Sequence, residues 1–150
     1  MRPTQVEELG LLREELRAGG QLVRRPLADR PVAMAIDVRA KRVYDEPDPR
    51  DGYRMLIDHV WPRGLSKART RLDEWARELA PSDELRKWFD HVPDRFAEFR
   101  SRYRHELAAH GEQVEELRRR ARSRPLTIVY AARDTEHNNA VVLAELIRDG

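Results

Sequence analysis

The chain has 150 residues, enough for one domain with a core of its own and no need of disulfide or metal staples. It contains no cysteine, which excludes disulfides, thiolate nucleophiles and cysteine-bound zinc, and its longest apolar run falls well short of a membrane span. The net charge is +2 with a pI near 9.2, and of the 29 basic residues only Lys41, Lys67 and Lys87 are lysines, so an anion held by this chain would meet guanidinium groups.

Residues 1–33 read as an N-terminal appendage. Val6, Leu9, Leu12 and Leu16 fall at helical spacing between Gln5 and Ala18, Gly19-Gly20 ends the pattern, and a basic, proline-punctuated linker with Arg24, Arg25, Pro26, Arg30 and Pro31 follows. Glu7, Glu8, Glu14 and Glu15 argue against a secretory leader, so the cytoplasm is the expected compartment. Met34 opens the first strand-like pattern, and translation starting there is an expectation that the native amino-terminal peptide tests. Residues 34–150 then form a single domain.

From Ala35 to Tyr44 apolar and polar residues alternate through Ile36, Val38 and Val43, predicting a half-buried strand. A loop rich in proline and aspartate follows, and Arg54 to Val60 predicts a second, more apolar strand. About ten residues separate the two, near the minimum for a parallel crossover. Between Leu65 and Ala80, Leu72, Trp75 and Leu79 sit at helical spacing. Ser82 then caps a helix whose first turn carries Asp83 and Glu84 and whose apolar face is Leu85, Trp88 and Phe89. Arg95 to Arg122 predicts a long helical stretch with Phe96, Phe99, Tyr103 and Leu107 on one stripe and a break at Gly111. Leu126 to Ala132 is the strongest strand, and it turns through Arg133-Asp134-Thr135 into a last helix, Glu136 to Arg148, capped by Asp134 or Thr135 and carrying His137 in its first turn. Strands separated by helical stretches predict an α/β fold: a small, mostly parallel sheet of three or four strands flanked by helices.

In such sheets ligands gather beyond the carboxyl ends of the strands. That edge would collect Arg42 and Tyr44 from the first strand, Asp58, Trp61 and Arg63 from the second, and Asp134, His137 and Asn138 from the third, with Arg54 as a further anion ligand. Asp58 closes an apolar run, where an ionised carboxylate needs a partner. It is either a proton-transfer group working with His137 or a structural partner of an arginine or a backbone amide. Arg63 lies between Pro62, which fixes a torsion, and Gly64, which permits an unusual one, so its guanidinium is held in place for an anion or for the loop itself. His105 and His110 do not share a helix face well, and no metal site is expected. No cofactor motif occurs.

Several of these residues recur together in a known family. Arg42-Val43-Tyr44-Asp45, Asp51-Gly52-Tyr53-Arg54, Asp58 and Trp61-Pro62-Arg63-Gly64-Leu65 resemble the YeaO-like family of bacterial proteins, within a larger domain family of unknown function. Leu79-Ala80-Pro81-Ser82, Glu84 to Phe89, Tyr130-Ala131-Ala132, Asp134, His137-Asn138 and Ala140 match in the same order, over residues 36–148. Arg133 stands where lysine is common and Asn139 where a histidine often follows. The resemblance implies an α/β fold with parallel strands and an extended segment around Trp75. It brings no activity, cofactor or catalytic residue. Two functional readings stand: a site for a small anionic molecule at the strand ends, with or without enzymatic activity, and a regulatory or nucleic-acid-binding module using exposed arginines such as those in Arg118-Arg119-Arg120-Ala121-Arg122, the less favoured of the two.

Overall fold

A computed structural model describes residues 35–150; the expected appendage over residues 1–33 and the start at Met34 lie outside the described residues. Strands β1 (Val38–Arg42), β2 (Tyr53–Leu56), β3 (Glu74–Trp75) and β4 (Leu126–Tyr130) form one four-stranded sheet in the order β1-β4-β2-β3, with every neighbouring pair parallel. Helices α1 (Lys67–Thr70), α2 (Asp83–Phe89), α3 (Phe96–Leu107), α4 (Gly111–Ser123) and α5 (Asn139–Asp149) lie between and after them. The fold is the α/β architecture expected. None of the described helices is long and apolar enough to cross a membrane.

The last strand in sequence becomes central because its residues suit burial on both faces. All of Leu126-Thr127-Ile128-Val129-Tyr130 is buried, as a strand with parallel neighbours on both sides requires. It pairs with β1 from Val38 opposite Leu126 to Arg42 opposite Tyr130, and with β2 from Tyr53 opposite Leu126 to Leu56 opposite Val129. Alternation sends Leu126, Ile128 and Tyr130, with Val38, Met55 and Ile57, into a core with Phe99, Tyr103, Leu107, Leu117 and Leu143 of α3, α4 and α5. Val129, Leu56 and Val43 face the other way, against Trp61, Leu65 and Leu72 from the loops and Trp75 of β3. Thr127 donates to the Asp51 carbonyl at 2.7 Å, so its hydroxyl is satisfied despite full burial.

Asp51 organises the loop-covered side. Its carboxylate takes Lys41 Nζ at 3.0 Å and Arg54 Nη1 at 2.6 Å, and accepts from the Asp48 amide at 3.0 Å. Arg54, itself buried, also donates twice to the Thr70 carbonyl, which ties β2 to α1. Gly52 follows with φ +66°, and a Cβ there would lie 2.1 Å from the Pro125 carbonyl oxygen. Only glycine lets the chain enter β2 so close to the start of β4.

The elements depart from the sequence expectations at definite places. Strands β1, β2 and β4 are each shorter than the stretch predicted for them. Leu72, Trp75 and Leu79 do not share a helix face: Glu74-Trp75 pairs with Met55-Leu56, Leu72 and Trp75 pack on the loop side, and Leu79 joins the helical core. The break between α3 and α4 is the 3-10 turn Ala108–His110, and Gly111 begins α4 with ordinary right-handed geometry. In α2, Ser82 caps as expected, its Oγ accepting from the Leu85 amide at 3.1 Å, but Trp88 is only half-buried. The final helix starts at Asn139, because Asn138 caps it by accepting from the Val141 amide at 3.0 Å. Asp134 instead accepts from the Glu136 and His137 amides in the preceding turn, so His137 stands before the helix and not in its first turn.

Candidate functional site

Because the strands run in one direction, the residues that leave them emerge at one edge of the sheet. There a cavity of about 380 Å³ opens between the segment Asp58–Arg63, the end of α2, Phe99 of α3, and Ala131, Ala132, Asn138 and Asn139. Of the residues expected to form a site, Asp58, Trp61, Arg63 and Asn138 line it together.

Asp58 is partly buried and held from two sides. Oδ2 accepts from the Ala131 amide at 2.8 Å, Oδ1 accepts from Asn139 Nδ2 at 3.1 Å, and the main-chain oxygen accepts from Trp75 Nε1 at 2.8 Å. Burial pushes its pKa above the ordinary carboxylate value, and the bonds from Asn139 and Ala131 and the nearby His91 charge only partly offset that. The Asp58 carboxylate is thus held by a backbone amide and an asparagine and by no arginine among the described residues, Arg42 and Arg54 both bonding elsewhere.

The loop that carries Arg63 is braced by its neighbours. Trp61 Nε1 donates to the Leu65 carbonyl at 2.8 Å, and the indole packs edge-on to Trp75 at 5.2 Å. Gly64 turns the chain with φ +82°. Tyr44 reaches across from the end of β1 and donates its hydroxyl to the Arg63 carbonyl at 2.9 Å. The Arg63 side chain is exposed, and its guanidinium has no hydrogen-bond partner among the described residues.

Other expected site residues lie outside the cavity lining. Arg42 donates to the carbonyls of Ala132 at 2.9 Å and Ala131 at 3.4 Å and stacks over Tyr44, so it fixes the exit of β4. Arg54 belongs to the Asp51 network. His137 Nδ1 lies 2.9 Å from Asp134 Oδ2, and its ring packs edge-on against Phe96 at 5.2 Å. The structure therefore does not bring Asp58 and His137 together around one cavity.

Several lining residues escaped the sequence reading. Asn139 contacts Asp58 directly, but only the position of the helix start reveals that it turns back to β2. Arg86 lines the cavity while pairing with Asp83 at 2.9 Å. His91 lies where α2 ends, and both Asp90 (φ 49°) and His91 (φ 55°) adopt left-handed backbone geometry. Consecutive non-glycine residues in that region store strain, of order 1–3 kcal/mol each. Among the described residues no cluster of histidine and acidic side chains could hold a metal.

The chain is 44% identical over 113 residues to the uncharacterised protein YeaO of Escherichia coli, covering 75% of this chain and 98% of that one. It is 44% identical over 110 residues to the uncharacterised protein Rv3073c of Mycobacterium tuberculosis, covering 73% and 92%. No solved structure matches it significantly. Residues 37–150 match the family described as the inactive DUF488-N3 subclade, and with these relatives the chain is shown to belong to that YeaO-like family.

Proposed function

We propose that the cavity at the carboxyl edge of the sheet binds a small anionic molecule and does not turn it over. One observation carries this reading: an open volume of about 380 Å³ remains at the strand ends after Asp58 and Asn139 have bonded to each other and to the backbone, with Arg63 among the residues that line it. A site that were only a self-satisfied polar network would close. Arg63 and Arg86 supply positive charge, and a guanidinium is suited to a carboxylate or phosphate. Support for binding without catalysis comes from the separation of the acid/base candidates, since His137 is turned to Asp134 and Phe96. The family's description as inactive agrees with it.

Nucleic-acid binding has less support. Arg118 donates to the carbonyls of Leu146 and Ile147 and pairs with Glu115, Arg119 pairs with Glu116, and Arg120 lies over the Tyr53 ring. These three arginines are engaged within the domain.

The test is calorimetric titration with a panel of small carboxylates and phosphate monoesters. At least one should saturate, Arg63→Ala should weaken it about tenfold with melting unchanged, and the ligand should be recovered intact. Absence of binding across the panel, or indifference to Arg63→Ala, would overturn anion binding. Chemical conversion of the ligand would overturn the non-catalytic reading.

A further inference from the structure

Granted that the cavity binds an anion, as proposed above, the charges around it restrict which anion it accepts. Asp58 is the sole carboxylate among the described residues that line the cavity. Its oxygens receive two bonds, both from neutral N–H donors, and no cation lies within ion-pair distance of it among the described residues. An ionised carboxylate can accept about four hydrogen bonds, so acceptor capacity remains on a partly buried group beside open volume. Leaving such a charge partly desolvated and under-bonded is costly, and a bound donor would recover that cost. Like-charge repulsion also keeps an anion away from it. An anionic ligand can therefore fill this cavity in one sense only: anion towards Arg63 and a hydrogen-bond donor towards Asp58.

We propose that the cavity takes a zwitterion, a small molecule with a protonated amine against the Asp58 carboxylate, an anionic group against Arg63, and an apolar body along Pro62, Phe89 and Phe99. The three apolar side chains line the same space, and Phe89 and Phe99 stack on each other at 4.4 Å, so the wall they present is rigid. Amino acids and their close analogues are the simplest members of this class. Arg86, already paired with Asp83, is the secondary anion contact.

The test uses two matched probe series on the full chain: L-phenylalanine against 3-phenylpropionate and phenethylamine, and L-leucine against 4-methylpentanoate and 3-methylbutylamine. In at least one series the zwitterion should bind about tenfold tighter than either single-ended analogue. Asp58→Asn should abolish the preference over the carboxylate, and Arg63→Ala the preference over the amine. Equal binding of zwitterion and carboxylate would overturn the inference and leave the anion reading standing. Binding of neither series would overturn the inference, while the anion panel judges the broader reading separately. The probe series on the unmutated protein decides the matter even if Asp58→Asn does not fold.

Discussion

Replacing Arg54 with methionine separates a structural arginine from a ligand-binding one. Methionine fills most of the volume and has no charge. Arg54 is 3% exposed, and its guanidinium pairs with Asp51 at 2.6 Å and donates to the Thr70 carbonyl from Nε at 3.1 Å and Nη2 at 2.8 Å. Removing one member of a buried ion pair costs about 3–5 kcal/mol where the other charge is orphaned. Here Asp51 keeps Lys41 and the Asp48 amide, which softens that loss, while Thr70 loses both its side-chain donors, at about 1–3 kcal/mol. The expected destabilisation is about 3 kcal/mol, read by urea unfolding with tryptophan fluorescence. Acid adds a second readout. Burial pushes the Asp51 pKa up, but the Asp48 amide, Lys41 and Arg54 outweigh it, so the folded-state pKa lies below the ordinary value. A depressed carboxylate contributes stability that is present above its unfolded pKa and is lost as pH falls through its folded pKa. The gap between wild type and Arg54→Met should therefore narrow in acid. A loss below about 1 kcal/mol, or a gap that widens in acid, would refute the assignment of Arg54 to this network.

Phe99→Ala should cost about 3–5 kcal/mol in the same assay, because Phe99 is 2% exposed and stacked on Phe89. Trp88→Ala should cost less, about 1–2 kcal/mol, since the indole is half-buried and faced by Arg95 and Arg102; an equal loss would misplace the core. Gly52→Ala should destabilise by more than about 2 kcal/mol, through a Cβ 2.1 Å from the Pro125 oxygen at a positive φ, and a change within experimental error would contradict that close approach. His91→Gly should raise the melting temperature, because glycine accepts φ 55° without strain, with a gain of about 1 kcal/mol; a lower melting temperature would mean that packing of the imidazole outweighs the strain.

Period and punctuation decided how much of the fold was legible in the sequence. The buried run Leu126–Tyr130, the Ser82 cap and the aromatic stripe of α3 read directly, since each is set by neighbours in the chain. Trp75 reads as helical from spacing alone. Its fate is decided by a backbone partner, Leu56, far away in sequence, and only the family resemblance pointed to an extended segment. At the site, Asp58, Trp61, Arg63 and Asn138 were recognisable because an apolar run delivers them to one edge. Asn139, Arg86 and His91 were not, since their part depends on where α5 begins and how α2 ends. Arg54 shows the opposite limit. Its place within a strand, pointing to the loop-covered side, is a matter of alternation, yet that the guanidinium turns to Asp51 and Thr70 depends on a loop and on α1.

Whether the cavity at the common strand edge is the binding site is decided by amide chemical-shift mapping of the labelled protein, titrated with the tightest anion from the panel. Saturating shifts confined to Asp58–Arg63, the end of α2 with His91, and Ala131–Asn139 are predicted. Shifts centred on the Arg118–Arg122 end of α4, or spread over the surface without saturation, would contradict it.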